Sequence, residues 1–212
     1  NRTQDKPFGI QKNFQEYYKP QYLSPSRMSS YSYQYSLAME TECKSFLNIG
    51  SANNILSYLL SKQKKLFINL DLDYDTHPDL VATFPKTPFV DNSFDAILCF
   101  QVLEHFPFSY FPVCLKELKR LAKNFIILSL PDASLSKRAK IKYYLYNHLK
   151  HPREWKMYKL REKSEEHFWE IGYKDIDLHL LKRIFEEEGL VVKKNFRNKL
   201  NRYHHFFVLE VK

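Results

Sequence analysis

Glycine is scarce in this sequence, with 4 residues among 212, and cysteine scarcer still, with 3. So little Gly, beside 10 Pro, excludes collagen-like and low-complexity polymers. Cys43, Cys99 and Cys114 form an odd set without a C-x-x-C pair, so no disulfide framework is expected and the setting reads as reducing and cytoplasmic. Long apolar runs are missing too. Stretches such as Phe125 to Leu128 fall far short of the roughly 20 residues of a membrane helix, and the mean hydropathy is -0.50, so no membrane span is expected. Asn1 to Lys6 carry no apolar core of the signal-peptide kind. What is present is a globular composition: 44% hydrophobic, 16% aromatic and 27% charged residues. A chain of this length buries roughly 70% of its unfolded surface without a metal or disulfide staple.

The formal charge of +9 is local, because residues 133–165 hold ten Lys or Arg against three Glu. That stretch interleaves Tyr143, Tyr144, Tyr146, Trp155 and Tyr158 with the basic residues, a mixture that suits an anionic partner or a solvated helical face. Nucleic acid is a possible partner of it but not the favoured one. His148 and His151 lack further ligands at suitable spacing, and no metal is expected.

Along the chain, residues 1–36 are rich in Tyr without a sustained period and read as an irregular aromatic arm. Residues 37–212 read as one domain carrying the basic insertion at about 133–165. Ser36 to Lys44 is helix-compatible. Ser45 to Ile49 reads as a strand stopped by Gly50, Asn54 to Ser61 as a helix, and Leu66 to Leu70 as a second strand ending at Asp71. Phe94 to Phe100 follows as a strand. A helix with Pro112 in its first turn and Leu115, Leu118 and Leu121 on one face leads into a strand from Phe125 to Leu130. Strands apolar on both faces that alternate with helices predict a doubly wound α/β domain with a mostly parallel sheet. Asp175 or Asp177 to Glu188 reads as a capped amphipathic helix. Leu190 to Val192 and Phe206 to Leu209 read as closing antiparallel strands joined by about a dozen polar residues.

In such a sheet ligands bind beyond the carboxyl ends of the strands, where the strand order reverses. Gly50, Ser51, Ala52, Asn53 and Asn54 form the first turn, and Gly50 allows close backbone approach there. Asp71 stands 21 positions after Gly50, close to the roughly 20-residue separation at which a carboxylate receives ribose hydroxyls. A plain turn followed by a strand-end Asp is the alternative.

FLNIGSANN, LFINLDLD, TPFVDNSFDAILCFQVLEHF and LKELKRLAKNFIILSLPD together resemble class I S-adenosylmethionine-dependent methyltransferases, in particular their small-molecule branch, from Phe46 to Asp132. The resemblance implies a Rossmann-like seven-stranded sheet with an antiparallel last strand, and S-adenosyl-L-methionine as cofactor. It implies that Asn48, Gly50, Ser51 and Ala52 border the methionine portion and that Asp71 holds the ribose. Thr83 and Phe84 would flank the adenine, and Gln101 and Val102 would face the reacting end. The sequence departs from the pattern where Asn48 replaces an acidic residue, Ala52 and Asn54 replace glycines, and Thr83 stands where an Asp is common.

Methyl transfer needs alignment, plus a base when the acceptor must lose a proton. His105 in the Leu-Glu-His turn and His167 with Glu170 in SEEHFWEIGYK are the candidates. If His167 and Glu170 face the crevice the segment is a site, and if they face solvent it is scaffolding. Arg197, Arg202, Tyr203, His204 and His205 either bind an acidic group on the acceptor or form a solvated hairpin, the second being favoured. The function expected is methylation of a small polar acceptor, of a sugar or lipid-linked kind and anionic in character. The alternatives are a binding protein of the same fold that has lost the cofactor, and a nucleic-acid methyltransferase.

Overall fold

The computed structural model describes residues 14–134 and 166–212. A 3-10 turn at Phe14–Tyr18 precedes α1 (Pro25–Glu40), β1 (Ser45–Ile49), α2 (Ile55–Ser61), β2 (Leu66–Asp71), β3 (Leu80–Val81) and β4 (Phe94–Phe100). After a 3-10 turn at Leu103–His105 come α3 (Phe111–Leu121) and β5 (Ala122–Pro131), then α4 (Leu178–Glu187), β6 (Leu190–Arg197) and β7 (His204–Val211). The seven strands lie in the order β3-β2-β1-β4-β5-β7-β6, with β7 antiparallel to both neighbours and the other pairings parallel. This is the doubly wound, Rossmann-like seven-stranded sheet expected, and its order reverses between β1 and β4. The crevice of such a sheet therefore opens above Gly50 and Gln101.

The pleat divides the core between two faces. Leu47, Ile49, Ile97 and Cys99 point toward α3 and α4, where Leu115, Leu118, Leu121, Leu181 and Phe185 are fully buried. Phe46, Ala96, Leu98 and Ile127 point the other way, against Leu37 and Ala38 of α1 and Leu56 and Leu60 of α2. All three cysteines are buried and free. Among the described residues no helix is long and apolar enough to cross a membrane.

Two elements differ from the sequence expectation. The arm is not irregular up to residue 36: α1 begins at Pro25, with Pro in its first turn and the Ser24 side chain accepting from the Arg27 N–H. Its buried face is Ser30, Gln34, Leu37 and Ala38, a helical spacing half written in polar residues, so an apolar period cannot reveal it. Ser30 Oγ receives Asn198 Nδ2 and Asn201 Nδ2 at 3.0 and 3.1 Å, and Tyr33 lies against Phe196. The second difference is β6, which runs to Arg197 and leaves six linking residues, 198–203, where about a dozen were expected. Its solvent side carries Lys193 and Lys194, paired with Glu210 and Glu40, and a register shift between Val192 and Lys194 hides the alternation.

Asp132, just past β5, ties the closing hairpin to the sheet. His205 Nδ1 and Arg197 Nη2 lie 3.0 Å from its two oxygens, and the Ser134 N–H donates at 2.9 Å. Burial pushes this carboxyl up, but the hydrogen bonds from His205 and Ser134 and the charge of Arg197 outweigh it, holding it below the usual carboxylate range. A folded-state value below the unfolded one gives stability that is present above about pH 4 and lost as pH falls through the folded value. Asp132→Asn is therefore expected to cost about 1.5–3 kcal/mol at neutral pH and to flatten stability against pH below about 4, measured by urea unfolding from pH 3 to 7.

Candidate functional site

A cavity of about 590 Å³ opens at the carboxyl ends of β1, β2 and β4, within the size range of small-molecule sites. Its floor is the turn after β1. Gly50 has φ +83°, its N–H donates to Leu70 O at 2.9 Å, and a Cβ there would stand 2.6 Å from Val102 Cγ2. Ala52 and Asn54 keep the left-handed conformation with φ 48° and 57°, so the turn retains a glycine-like path while carrying side chains. Asn48 is buried and donates to Asn69 Oδ1 at 3.0 Å, where Ser57 Oγ also donates. The neutral residue at position 48 is thus matched to a neutral neighbour one strand away.

Asp71 ends β2 at the wall of the cavity. Its Oδ2 accepts from Ser51 N at 2.7 Å and Ser51 Oγ at 3.1 Å, and its Oδ1 accepts from Asp73 N at 3.0 Å. A carboxylate has about four acceptor positions. Ser51 Oγ also reaches Thr76 Oγ1 at 2.8 Å, so it has a second partner when Asp71 turns to a ligand. Phe84, half-buried, sets its ring edge-on to Phe106, and Thr83 beside it is exposed.

The opposite half is polar and comes from two segments distant in sequence. Glu104 and His105 stand on the 3-10 turn after β4, and His167 and Glu170 on the segment that follows the undescribed residues. His105 Nδ1 lies 3.0 Å from Glu166 O, and His167 Nδ1 lies 2.9 Å from Glu170 Oε1. Tyr203 OH donates to the same Glu170 oxygen and stands 3.2 Å from His167 Nδ1. Glu104 is 0% exposed, neither of its oxygens meets a hydrogen-bonding partner from another residue, and burial pushes its carboxyl up to about 8, with the Glu170 charge adding to the shift.

The same segment also anchors itself. Trp169, 1% exposed, donates from Nε1 to Phe106 O at 3.1 Å and sets its ring edge-on to Phe108 and Phe111. Ile171 is buried beside it, while Phe168 is 48% exposed. Anchor and site were alternatives in the sequence reading; in the structure the residues divide between them. Trp169 and Ile171 enter the core, His167 borders the cavity, and Glu170 sits buried against His167 without forming part of the wall.

Asn48, Gly50, Ser51, Ala52, Asp71, Thr83, Phe84, Gln101, Val102, His105 and His167 all border this one cavity. Tyr17, Tyr22, Arg27, Tyr31 and Glu104 border it as well, with no role given to them from the sequence, as do Tyr203 and His204 of the closing hairpin. The density of Tyr in the N-terminal arm was the available signal. Burial, and next the charge of Asp71, raise the Tyr17 phenol well above its ordinary value, and both residues line the cavity. Asn53 Nδ2 donates to Tyr31 OH at 2.7 Å. The hairpin residues are corrected in part. Arg202 is exposed and Arg197 is held by Asp132, but His204 and His205 are buried, because β7 lies between β5 and β6 and both its faces are covered. Burial and the charge of Arg27 push His204 down to about 3, so the neutral ring accepts from Arg27 Nη1, 2.9 Å from its Nε2.

The basic stretch and the pair His148 and His151 lie outside the described residues. No metal was expected from sequence spacing. Among the described residues, one ligand atom each from Glu104, His105 and His167 all fall within 4.8 Å of one another.

The family profile described as "Methyltransferase domain" matches residues 47–126. None of the curated proteins compared matches the sequence. Among solved structures, magnesium protoporphyrin IX methyltransferase from Synechocystis with bound S-adenosylmethionine is 12% identical, with 96% of this chain and 86% of that one covered at TM-score 0.60. A SAM-dependent methyltransferase from Aquifex aeolicus is 15% identical, over 95% and 100% of the two chains, at TM-score 0.62. A 1,6-didemethyltoxoflavin-N1-methyltransferase from Burkholderia thailandensis is 6% identical, over 94% and 84%, at TM-score 0.62. At these identities the likeness is one of fold.

Proposed function

From the premise that the chain carries a methyltransferase domain, on the fold of the S-adenosylmethionine-dependent enzymes, we propose that it methylates an oxygen or nitrogen of a small polar acceptor of the sugar or lipid-linked kind. The observation that carries the reading is a single cavity with Asp71 at one end and His105, Glu104 and His167 at the other. The residues fit the cofactor. Asp71 keeps an acceptor position for a ribose hydroxyl and gains another when Ser51 Oγ turns to Thr76. Gly50, without a Cβ, lets Val102 close against the turn at the floor of the cavity, and Phe84 offers an aromatic face for adenine.

When bound, S-adenosylmethionine supplies the methyl group on a sulfonium, which needs an aligned nucleophile more than it needs further chemistry. Gln101 and Val102 would set the edge past which the acceptor approaches. His167, oriented through Nδ1 by Glu170 and Tyr203, would take the acceptor's proton, and His105 would bound the same half of the cavity. Tyr17, Tyr22 and Tyr31 would cover the cofactor from the N-terminal side, excluding water. Arg27, directed by neutral His204, is the cation that an anionic acceptor would meet.

The test is calorimetric titration of S-adenosylhomocysteine into the full chain. Saturable binding in the micromolar range, about -8 kcal/mol, is expected. No heat and no thermal stabilisation at millimolar ligand would leave a binding protein of the same fold, the reading that Ala52 and Asn54 in place of glycines would then explain.

A further inference from the structure

We infer that Glu104, His105 and His167 form a site for one divalent transition cation of the zinc type, at the acceptor half of the cavity. The inference rests on the proposed methyltransferase reading for its purpose, though not for its geometry. Two imidazoles and one carboxylate are a ligand set that zinc-type cations accept while keeping a position open for water or substrate. Their ligand atoms lie within 4.8 Å of one another, and His167 Nε2 stands 3.9 Å from Glu104 Oε1. Bonds of about 2.0–2.1 Å in a tetrahedron place ligand atoms ~3.3 Å apart, so on binding the His167–Glu104 pair closes by ~0.6 Å and the widest separation by at most ~1.5 Å.

Three further observations point to a ligand. Glu104 is fully buried, and neither carboxyl oxygen has a hydrogen-bond partner from another residue, His167 Nε2 standing 3.9 Å off, although an uncompensated buried carboxylate costs several kcal/mol. A cation would supply the missing partner. Both imidazoles are held through Nδ1, His105 by the Glu166 carbonyl and His167 by the Glu170 carboxylate, and this directs Nε2 as the ligating atom. A backbone carbonyl or a carboxylate behind a histidine is the arrangement that orients metal ligands. The two segments are also fixed to each other, since the Phe168 N–H donates to Glu104 O at 2.9 Å and Trp169 Nε1 to Phe106 O.

The mixed nitrogen and oxygen set favours zinc, cobalt or manganese over calcium or magnesium, which take oxygen ligands. A cation here would hold an acceptor oxygen and lower its pKa, so the proton leaves to water. His167 then serves as a ligand, and Glu170 and Tyr203 as its positioning residues.

The experiment titrates Zn²⁺, and separately Co²⁺, into the chelator-stripped full chain by calorimetry and visible absorption. One equivalent is expected, with a cobalt spectrum showing nitrogen and oxygen ligation. Glu104→Gln and His167→Ala are each expected to weaken it by at least ~10-fold, with near-UV circular dichroism as the check on folding. His105→Ala, at a half-buried position, gives the same loss should a buried variant fail to fold. Absence of binding, or affinity unchanged in His105→Ala, overturns the site. S-adenosylhomocysteine binding without Zn²⁺ binding overturns the cation site alone. Zn²⁺ binding lost in these variants, without S-adenosylhomocysteine binding, sustains the site and overturns the methyltransferase reading.

Discussion

Asp71→Ala is expected to weaken S-adenosylhomocysteine binding by ~100-fold or more and to abolish methyl transfer. The argument is one of hydrogen bonds to a charge. Each bond between a ribose hydroxyl and a carboxylate is worth about 1.5–3 kcal/mol, and every 1.4 kcal/mol is tenfold in affinity. The substitution has a second consequence, because Asp71 also receives the Ser51 N–H and hydroxyl and so shapes the turn beneath the cofactor. Ser51 Oγ keeps Thr76 as a partner, but the Ser51 N–H loses its own. Asp71→Asn separates the two effects. It retains an acceptor for Ser51 but lacks the charge, so it is expected to hold the melting temperature near that of the parent and still lose affinity. Calorimetry on both variants reads the result, and full affinity in Asp71→Ala would overturn the ribose assignment.

Trp169→Ala is expected to cost about 3–5 kcal/mol of stability, the range for truncating a fully buried aromatic side chain. Its indole packs edge-on against the stacked rings of Phe108 and Phe111 and donates to the Phe106 carbonyl. The loss reaches the site, since the same segment carries His167 two positions earlier and Glu170 one later. Urea unfolding checks the magnitude, with Phe168→Ala as the exposed control, expected within about 0.5 kcal/mol of the parent. A loss under 1 kcal/mol for Trp169→Ala would remove its role as anchor.

These two residues also mark how much was legible in the sequence. Asp71 was readable because a strand, a glycine turn and a carboxylate at fixed spacing are written within 26 consecutive residues, Phe46 to Asp71. The α/β class was readable for the same reason: central strands are apolar on both faces, and α3 carries leucines at helical spacing. α1 was partly hidden, because its buried face uses Ser30 and Gln34 to meet the hairpin's Asn198 and Asn201, and a polar interface leaves no apolar period. Glu104 was read as part of a turn and nothing more.

The sequence by itself determined the doubly wound sheet, the glycine turn and the carboxylate at the end of β2, since local spacing and periodicity encode each of them. Only the tertiary structure decided what stands opposite them. Glu104 and His105 meet His167 across some 60 residues because β4 and the segment anchored by Trp169 converge at one end of the sheet. Arg27 meets His204 across 177 residues because β7 lies between β5 and β6. Contacts of that range depend on strand order and on which faces are covered, and neither leaves a local pattern in the chain.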